Sequence, residues 1–384
     1  MQGSATVTVG VPTVTTEHGR VVHRTPCTVD GRDREVRYEV DERWADLVSP
    51  LADAPLLAVV PLALARGATI RVTGPVTDEL VHGLHHGFLH LHRRTSPRFG
   101  AVTVEATTTV APSPPAAGVA TGLTGGVDSW TVLVDHALDP TVPAGSRLTH
   151  LVNSDTLTGT SRETLHAMRG RMGPIADALG LPFVFVDSNL RDLQSESDLA
   201  PGGIVTGAQV STAFLLQRGI GTYLYASTVA EEQVGTCEPN EMGRLDALTL
   251  PHLANGSVRI RSVGGEYRRI DKLRRIADVE GTWTALEVCT DEHLDGNCGR
   301  CRKCRRTLAA LDVLGLLERY RAVFDLDEWS RVRTRTFRAL QRSEHPHSRE
   351  IVEAARAHGM HLPRPVPFPR LRRLVGATRH HRSG

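Results

Sequence analysis

The chain has 384 residues, 40% of them hydrophobic, and a formal net charge of +2; it is too long for one small domain and long enough for two, with a sizeable core expected in at least one. No apolar run approaches the roughly 20 residues of a membrane span, and no charged start leads into an apolar stretch at the N-terminus. A spanning helix and a secretory leader are therefore not expected, and the cytoplasm is the expected location. Charge is uneven along the chain: residues 331–384 hold 13 Arg against only Glu344, Glu350 and Glu353, which keeps RNA open as a partner.

Residues 5–40 alternate with period two in "TVTVGVPTV" and "REVRYEV", the pattern of antiparallel strands. An apolar helix is predicted near Leu51–Ala65, then a strand "TIRVTGPV", a helix capped by Thr77 and a strand "AVTVEATTTV". Together, residues 1–110 read as an N-terminal α+β domain. The segment "APSPPAAG" (111–118) reads as a linker, because its prolines forbid both ladder and helix. From 119 to 325 the rhythm is strand, helix, strand, helix: "GVATGL", a helix from Asp128, "THLVN", a helix over Ser161–Leu179, "PFVFVD", a helix near Gln209–Arg218, and "TYLYAST". Short apolar strands alternating with helices predict a doubly wound parallel α/β sheet, with ligands at the carboxyl ends of its strands. Sites are expected just after Leu123, Asn153, Asp187 and Ser227. An amphipathic helix is predicted over 305–325, and residues 326–384 read as a basic tail, helical before "LPRPVPFPRL".

Between the first of those strands and its helix lies "LTGGVDS": Leu123, Thr124, Gly125, Gly126, Val127, Asp128 and Ser129. Successive backbone N–H groups running into a helix N-terminus make an anion nest, and glycines let backbone approach a phosphate without a Cβ in the way. A Walker A loop is excluded because no Lys-Ser/Thr follows, and G-x-G-x-x-G is absent. The string resembles the S-G-G-x-D-S loop of the PP-loop ATP pyrophosphatases, which include asparagine and GMP synthetases, tRNA thiolases and the 7-cyano-7-deazaguanine synthases. Thr124 stands where the family usually has Ser, and it keeps the hydroxyl. The resemblance implies a HUP-type fold that binds ATP and Mg²⁺. Gly125, Gly126, Asp128 and Ser129 would cradle the leaving pyrophosphate while a substrate oxygen attacks the α-phosphorus. It also implies adenine near Val152–Asp155, with Asn153, and near Ala226–Thr228, with Ser227.

"CTDEHLDGNCGRCRKC" places Cys289, Cys298, Cys301 and Cys304 in C-x8-C-x2-C-x2-C spacing, which suits a structural tetrahedral Zn²⁺ with all four positions filled by protein; the same ligands can hold an iron–sulfur cluster. Arg302, Lys303 and Arg305 would offset the charge of four thiolates. This layout downstream of the glycine loop is similar to that of the 7-cyano-7-deazaguanine synthases, over residues 118 to about 315. By the same resemblance, the basic stretch 264–277 brings Lys272, with Arg268 or Arg275, to a phosphate or an adenylated carboxylate. A solvated helix face is the competing reading of that stretch.

Asp155 and Asp187 fall at strand ends, as site residues or as turn acids. Cys237 is a plain thiol or a sulfur carrier, Cys27 is expected to be packing, and the His82–His92 tract is expected to be a surface helix. Three functions follow. The first is a ligase that adenylates a small-molecule carboxylate or amide oxygen and then admits ammonia or an amine. The second is a sulfur transferase acting on RNA or a small molecule, and the third a non-catalytic nucleotide-binding module. Oligomerisation stays open.

Overall fold

The computed structural model describes residues 5–95, 99–156, 162–195, 205–235, 243–289, 291 and 296–364. The first unit starts with β1 (Thr6–Val9), β2 (Thr13–Glu17), β3 (Arg20–Val29) and β4 (Arg32–Asp41). Two-residue turns join β2 to β3 and β3 to β4. His18 and Gly19 have φ of 50° and 75°, and Asp30 and Gly31 have φ of 52° and 73°. Positive φ at both central positions matches the twist of paired strands, and Asp-Gly is a preferred pair for it. Next come α1 (Asp53–Arg66), β5 (Thr69–Val72), β6 (Val76–Thr77), α2 (Asp78–Gly83), α3 (Leu89–Thr95), β7 (Thr103–Ala106) and β8 (Thr109–Val110). Helix α1 is buried at every position from Asp53 to Leu64, and Gly67 ends it at φ +61°. An apolar circumference of this kind belongs to a helix covered on all sides.

The second unit is β9 (Gly118–Gly122), α4 (Val127–Leu133), β10 (His150–Ser154), α5 (Arg162–Ala178), β11 (Phe183–Ser188), α6 (Leu190–Ser195), α7 (Val205–Leu215) and β12 (Ile220–Ala226). It continues with α8 (Asp246–Thr249), β13 (Arg259–Val263), α9 (Arg269–Ile276), α10 (Glu280–Ala285), α11 (Arg302–Val313), α12 (Leu326–Leu340) and α13 (Pro346–Ala357). Its five strands run parallel in the order β13-β12-β9-β10-β11. This order reverses between β9 and β12 and is compatible with a Rossmann-like α/β fold, in which ligands sit at the carboxyl ends beside the reversal.

The two units share one eleven-stranded, mostly parallel mixed sheet, because β11 pairs antiparallel with β4 and the order runs on through β3, β1, β5 and β7. One core, on α1 and α7, joins Leu56, Leu57 and Val59 to Phe214, Tyr223 and Ile260; the other packs α4, α9, α11, α12 and α13 on the opposite face.

Several expectations are corrected. Strand β13 was not anticipated, since "RIRSV" carries too few apolar residues to stand out. Segment 111–117 is packed along the sheet: Ser113 O accepts from Ser257 Oγ (3.0 Å), and a Cβ on Gly221 would lie 2.0 Å from Ala116 O. Thr77 precedes α2, but its hydroxyl donates to Asp53 (3.1 Å) instead of capping the helix. In the histidine tract His92 is buried, bonded through Nδ1 to Phe88 O (2.8 Å), and burial pushes its imidazole down to about 4; His82, His86 and His90 are exposed as expected. Cys27 is buried in β3, as packing requires. Helix α11 starts at Arg302 and stops at Val313, with Gly315 at φ +70° behind it. The first part of the basic tail is core, because α12 buries Trp329, Val332 and Phe337 and α13 buries Ile351 and Val352. No helix of the described residues is long and apolar enough to cross a membrane.

Candidate functional site

The glycine loop follows β9 at the point where the strand order reverses. Leu123 N donates to Val152 O (2.8 Å), which holds the loop's first residue against β10. Gly125 has φ +74°, where a side chain would be strained, and a Cβ there would lie 3.2 Å from Ala285 O. Gly126 is extended and precedes α4, with Val127 as the first helical residue. Ser129 turns back: its Oγ donates to Gly126 O (2.9 Å) and lies 3.4 Å from Thr124 N and 3.5 Å from Thr124 Oγ1. The first-turn N–H groups of α4 have no acceptor inside the helix and are the natural donors for an anion.

Asp128 projects from that first turn into a group of cations. Lys272 Nζ donates to its Oδ1 (2.9 Å) and Arg269 Nη1 to its Oδ2 (2.5 Å). Burial alone would raise this carboxyl, yet the charges and hydrogen bonds of Arg269 and Lys272 hold it well below the ordinary carboxylate range. Lys272 also donates to Ser227 O at the end of β12 (2.5 Å), and its side chain is only 2% exposed. The solvated-face reading of stretch 264–277 is thereby corrected at Lys272. Asp128, Ser227 and Lys272, far apart in sequence, meet at one point.

The partner of Lys272 is Arg269, not Arg268 or Arg275. Arg268 pairs with Glu232 and Glu353, and Arg275 with Asp135 and Asp139. Because α9 begins at Arg269, positions 269 and 272 share a face one turn apart. Glu350 of α13 sits over that start: its Oε2 accepts from Arg269 N (2.9 Å) and its Oε1 from Gln233 Nε2 (2.9 Å), at 5% exposure. The C-terminal region thus caps the helix that carries both cations, a role no local pattern announces.

Further titratable groups come from α11 and α13. Lys303 is open to solvent at the mouth of the site. Partial desolvation first, then the nearby Arg269 and Arg306, push its ammonium down, against the pull of Asp128 and the Cys301 thiolate. Desolvation, and then the charge of Arg269, push the His347 imidazole down to about 3, so it is neutral at physiological pH. Both lysines of the chain therefore stand within reach of Asp128's charge.

Asn153 is 1% exposed and turned inward. Its Nδ2 donates to Leu123 O (3.0 Å) and its Oδ1 accepts from Arg169 Nε (3.0 Å), so it braces the loop from below. Ser227 is buried, with its hydroxyl on Val229 O (2.8 Å). Asp155 and Asp187 lie together at the ends of β10 and β11, away from the loop's own hydrogen bonds. Cys237 falls outside the described residues.

The cysteine ligands converge. The sulfurs of Cys289, Cys298, Cys301 and Cys304 all lie within 4.8 Å of one another, with Cys298 and Cys304 3.9 Å apart. Tetrahedral Zn–S bonds of about 2.3 Å separate sulfurs by about 3.8 Å, so the donor set fits a metal ion such as zinc. Backbone N–H groups of Cys298, Cys301 and Cys304 point at neighbouring sulfurs (3.2–3.5 Å), as thiolate ligands require. Cys301 also caps α11 through Cys304 N. On the other side Glu287 N donates to Gly125 O (2.8 Å) and Val288 N to Asn297 Oδ1 (2.8 Å). The cluster is therefore tied to the glycine loop through residues 285–288 and to Lys303 and Arg306 through α11.

A scan against protein-family models finds no match for this chain, and a search of curated proteins finds none.

Proposed function

We propose that the chain is an ATP-pyrophosphatase-type ligase of the PP-loop kind, HUP-like in fold. The observation that carries the reading is the Asp128–Lys272–Arg269 cluster at the reversal of the sheet, with Asp128 in the first turn of the helix that the glycine loop opens. Splitting ATP between its α- and β-phosphates puts charge on a leaving pyrophosphate, and the residues that help most are donors and cations held ready there. The loop from Thr124 to Ser129, with Lys272, Arg269, Lys303 and Arg306, is such a set. Asp128, ionised and 22% exposed at its side chain, is a suitable oxygen ligand for Mg²⁺, which commonly takes one carboxylate and the rest from phosphate and water. Mg²⁺ bound there would neutralise the leaving oxygens.

The reaction balances as two steps. A carboxylate oxygen attacks the α-phosphorus, forming an acyl adenylate and releasing pyrophosphate. Ammonia or an amine then attacks the acyl carbon, AMP leaves, and a proton is released to give the amide; dehydration to a nitrile would need a second round of activation. Zinc held by Cys289, Cys298, Cys301 and Cys304 would supply no reaction step and would fix α11 and the 285–288 segment against the loop. Three of the six arginines in α12 and α13 pair within the chain, Arg331 with Glu328, Arg333 with Asp312 and Arg349 with Glu344, which lowers the positive charge this region offers to RNA.

The test is product analysis of ATP with the purified protein, Mg²⁺, ammonium and a small-metabolite extract, set against a bulk tRNA fraction, with Asp128→Asn as control. AMP and pyrophosphate in equal amounts with the metabolite pool are the expected result. AMP with tRNA alone would transfer the chemistry to RNA modification; ADP, or no turnover, would leave a nucleotide-binding module.

A further inference from the structure

The carboxyl-end rim of the sheet holds a cavity of about 220 Å³ that none of residues 123–129 lines. It opens between the ends of β10 and β11 and the facing strand β4. Asp155, Arg169, Asp187 and Ser188 form one wall, Arg37 and Glu39 the other, and exposed His166 stands at the edge. The second wall exists because β4 pairs with β11 in the register Asp187↔Glu39 and Ser188↔Tyr38. The N-terminal unit therefore supplies one wall of this cavity, through Arg37 and Glu39.

The walls carry both signs of charge, and their groups are unequally satisfied. Asp187 has both oxygens engaged, with Oδ1 accepting from Arg169 Nη1 (2.6 Å) and Oδ2 from Arg20 Nη2 (2.5 Å). Asp155 is 9% exposed and accepts from Ser188 Oγ (2.6 Å). Burial raises its carboxyl and the charge of Asp187 adds to this, while Ser188 and Arg169 work the other way. Arg169 is 9% exposed at its side chain and lies over the Phe185 ring at 4.8 Å. Its Nε and Nη1 are used, but among the described residues Nη2 has no hydrogen-bond partner; Arg37, partly exposed and paired through Nη2 with Glu39, has its Nε without one as well. Buried guanidinium donors left without an acceptor are uncommon in a finished structure. The free donor of Arg169, on a side chain nine-tenths buried beside this polar cavity, calls for an acceptor, and Arg37 Nε stands across the cavity as a second donor.

The same Arg169 connects the cavity to the glycine loop. Its Nε holds Asn153 Oδ1, and Asn153 Nδ2 holds Leu123 O, the residue before Thr124. One continuous set of hydrogen bonds thus runs from the loop through Asn153, Arg169 and Asp187 to Arg20 of β3.

We propose that this cavity is the acceptor-substrate pocket. It takes a small carboxylic acid that also bears an N–H donor edge, with Arg169 and Arg37 drawing the carboxylate and Asp155 and Ser188 reading the donors. The N-terminal unit then sets which acid is used, through Arg37 and Glu39. What happens to the acid afterwards rests on the ligase reading above; its binding does not.

Ligand-observed NMR on the full chain tests this with a probe panel of amino-substituted carboxylic acids (proteinogenic amino acids, aminobenzoates and pyrrole carboxylates) and matched acids without N–H groups, such as benzoate and butyrate. The wild type should bind at least one donor-bearing acid about tenfold more tightly than its donor-free match. Asp155→Asn should erase that preference, and Arg37→Gln, at a partly exposed position where misfolding is a small risk, should weaken all bound acids about tenfold. Asp128→Asn should leave acid binding intact while removing AMP release. Acids that bind in this pattern without any AMP formation would keep the pocket and overturn the ligase reading. If no acid binds, if donor-bearing and donor-free acids bind alike, or if Asp155→Asn and Arg37→Gln change nothing, the cavity holds only water and the proposal fails.

Discussion

Asp53 and Asp128 are both acids placed in the first turn of a helix, on opposite faces of one sheet, and their surroundings give them opposite characters. Asp53 is 0% exposed and surrounded by neutral donors: Thr77 N (2.8 Å), Thr77 Oγ1 (3.1 Å), Gln217 Nε2 (3.1 Å) and Asn255 Nδ2 (3.1 Å). Burial raises its carboxyl despite those four bonds. Asp128 faces Lys272 and Arg269 and is held ionised. A buried acid with neutral donors is a brace, tying α1 to Thr77 before α2, to the turn after α7 and to the loop before β13. A buried acid with two cations beside an open loop is a place where charge can be exchanged for a ligand's charge.

The sharpest way to break this comparison is to remove the charge and keep the shape. Asp128→Asn should lower AMP release by on the order of 10²- to 10³-fold. Asp53→Asn should leave AMP release per folded molecule within about twofold, because Asp53 lies away from the loop, although its amide nitrogen would face the Gln217 and Asn255 donors and lower stability. A steady-state assay of both variants checks this; equal losses would end the distinction. Truncation reverses the emphasis. Asp53→Ala orphans buried donors and should cost about 2–4 kcal/mol in urea unfolding with activity per folded molecule retained.

A third test works from the cations inward. Metal analysis should find one zinc per chain. Cys298→Ser should raise the KM for ATP by about tenfold, since α11 and its Lys303 and Arg306 lose their anchor. Glu350→Gln is gentler: it weakens the cap on α9 and should lower kcat roughly threefold to tenfold, through Arg269 and Lys272. A normal kcat in that variant would mean that α13 only covers the core.

The smallest effects are in pH. Asp128, lowered, contributes stability that is present above its unfolded value near 3.8 and lost as pH falls through the folded one. Asp53 and Asp246, both raised by burial, act in the opposite sense: their contribution is full below about 3.8 and lost as pH rises through the folded values, which for Asp246 is about 7. Urea midpoints between pH 3 and 8 should therefore fall less steeply from pH 4 to 7 in Asp246→Asn, and fall less on the acid side in Asp128→Asn.

How much of this was legible in advance depends on distance along the chain. The glycine loop and the four cysteines could be read from sequence because their chemistry is local: a βα turn needs its glycines at fixed offsets, and metal ligands in C-x2-C steps are gathered by one turn of backbone. Lys272 was legible only as one cation among several on a basic helix. Arg269, Glu350 and the burial of Lys272 were not, since which arginine faces Asp128 follows from where α9 starts and what α13 places over it.

Sequence by itself determined the local units: the hairpins with positive-φ turns, the alternation of strand and helix after residue 118, the loop "LTGGVDS" and the spacing of the four clustered cysteines. Tertiary structure alone decided that β4 would pair with β11, so that the expected separate domains share one sheet and a cavity, and that part of the supposed tail would become core. The physical reason is that period and turn chemistry act over a few residues, whereas edge pairing, burial of a charge and the choice of its partner are settled by segments more than 100 residues apart competing for the same surface.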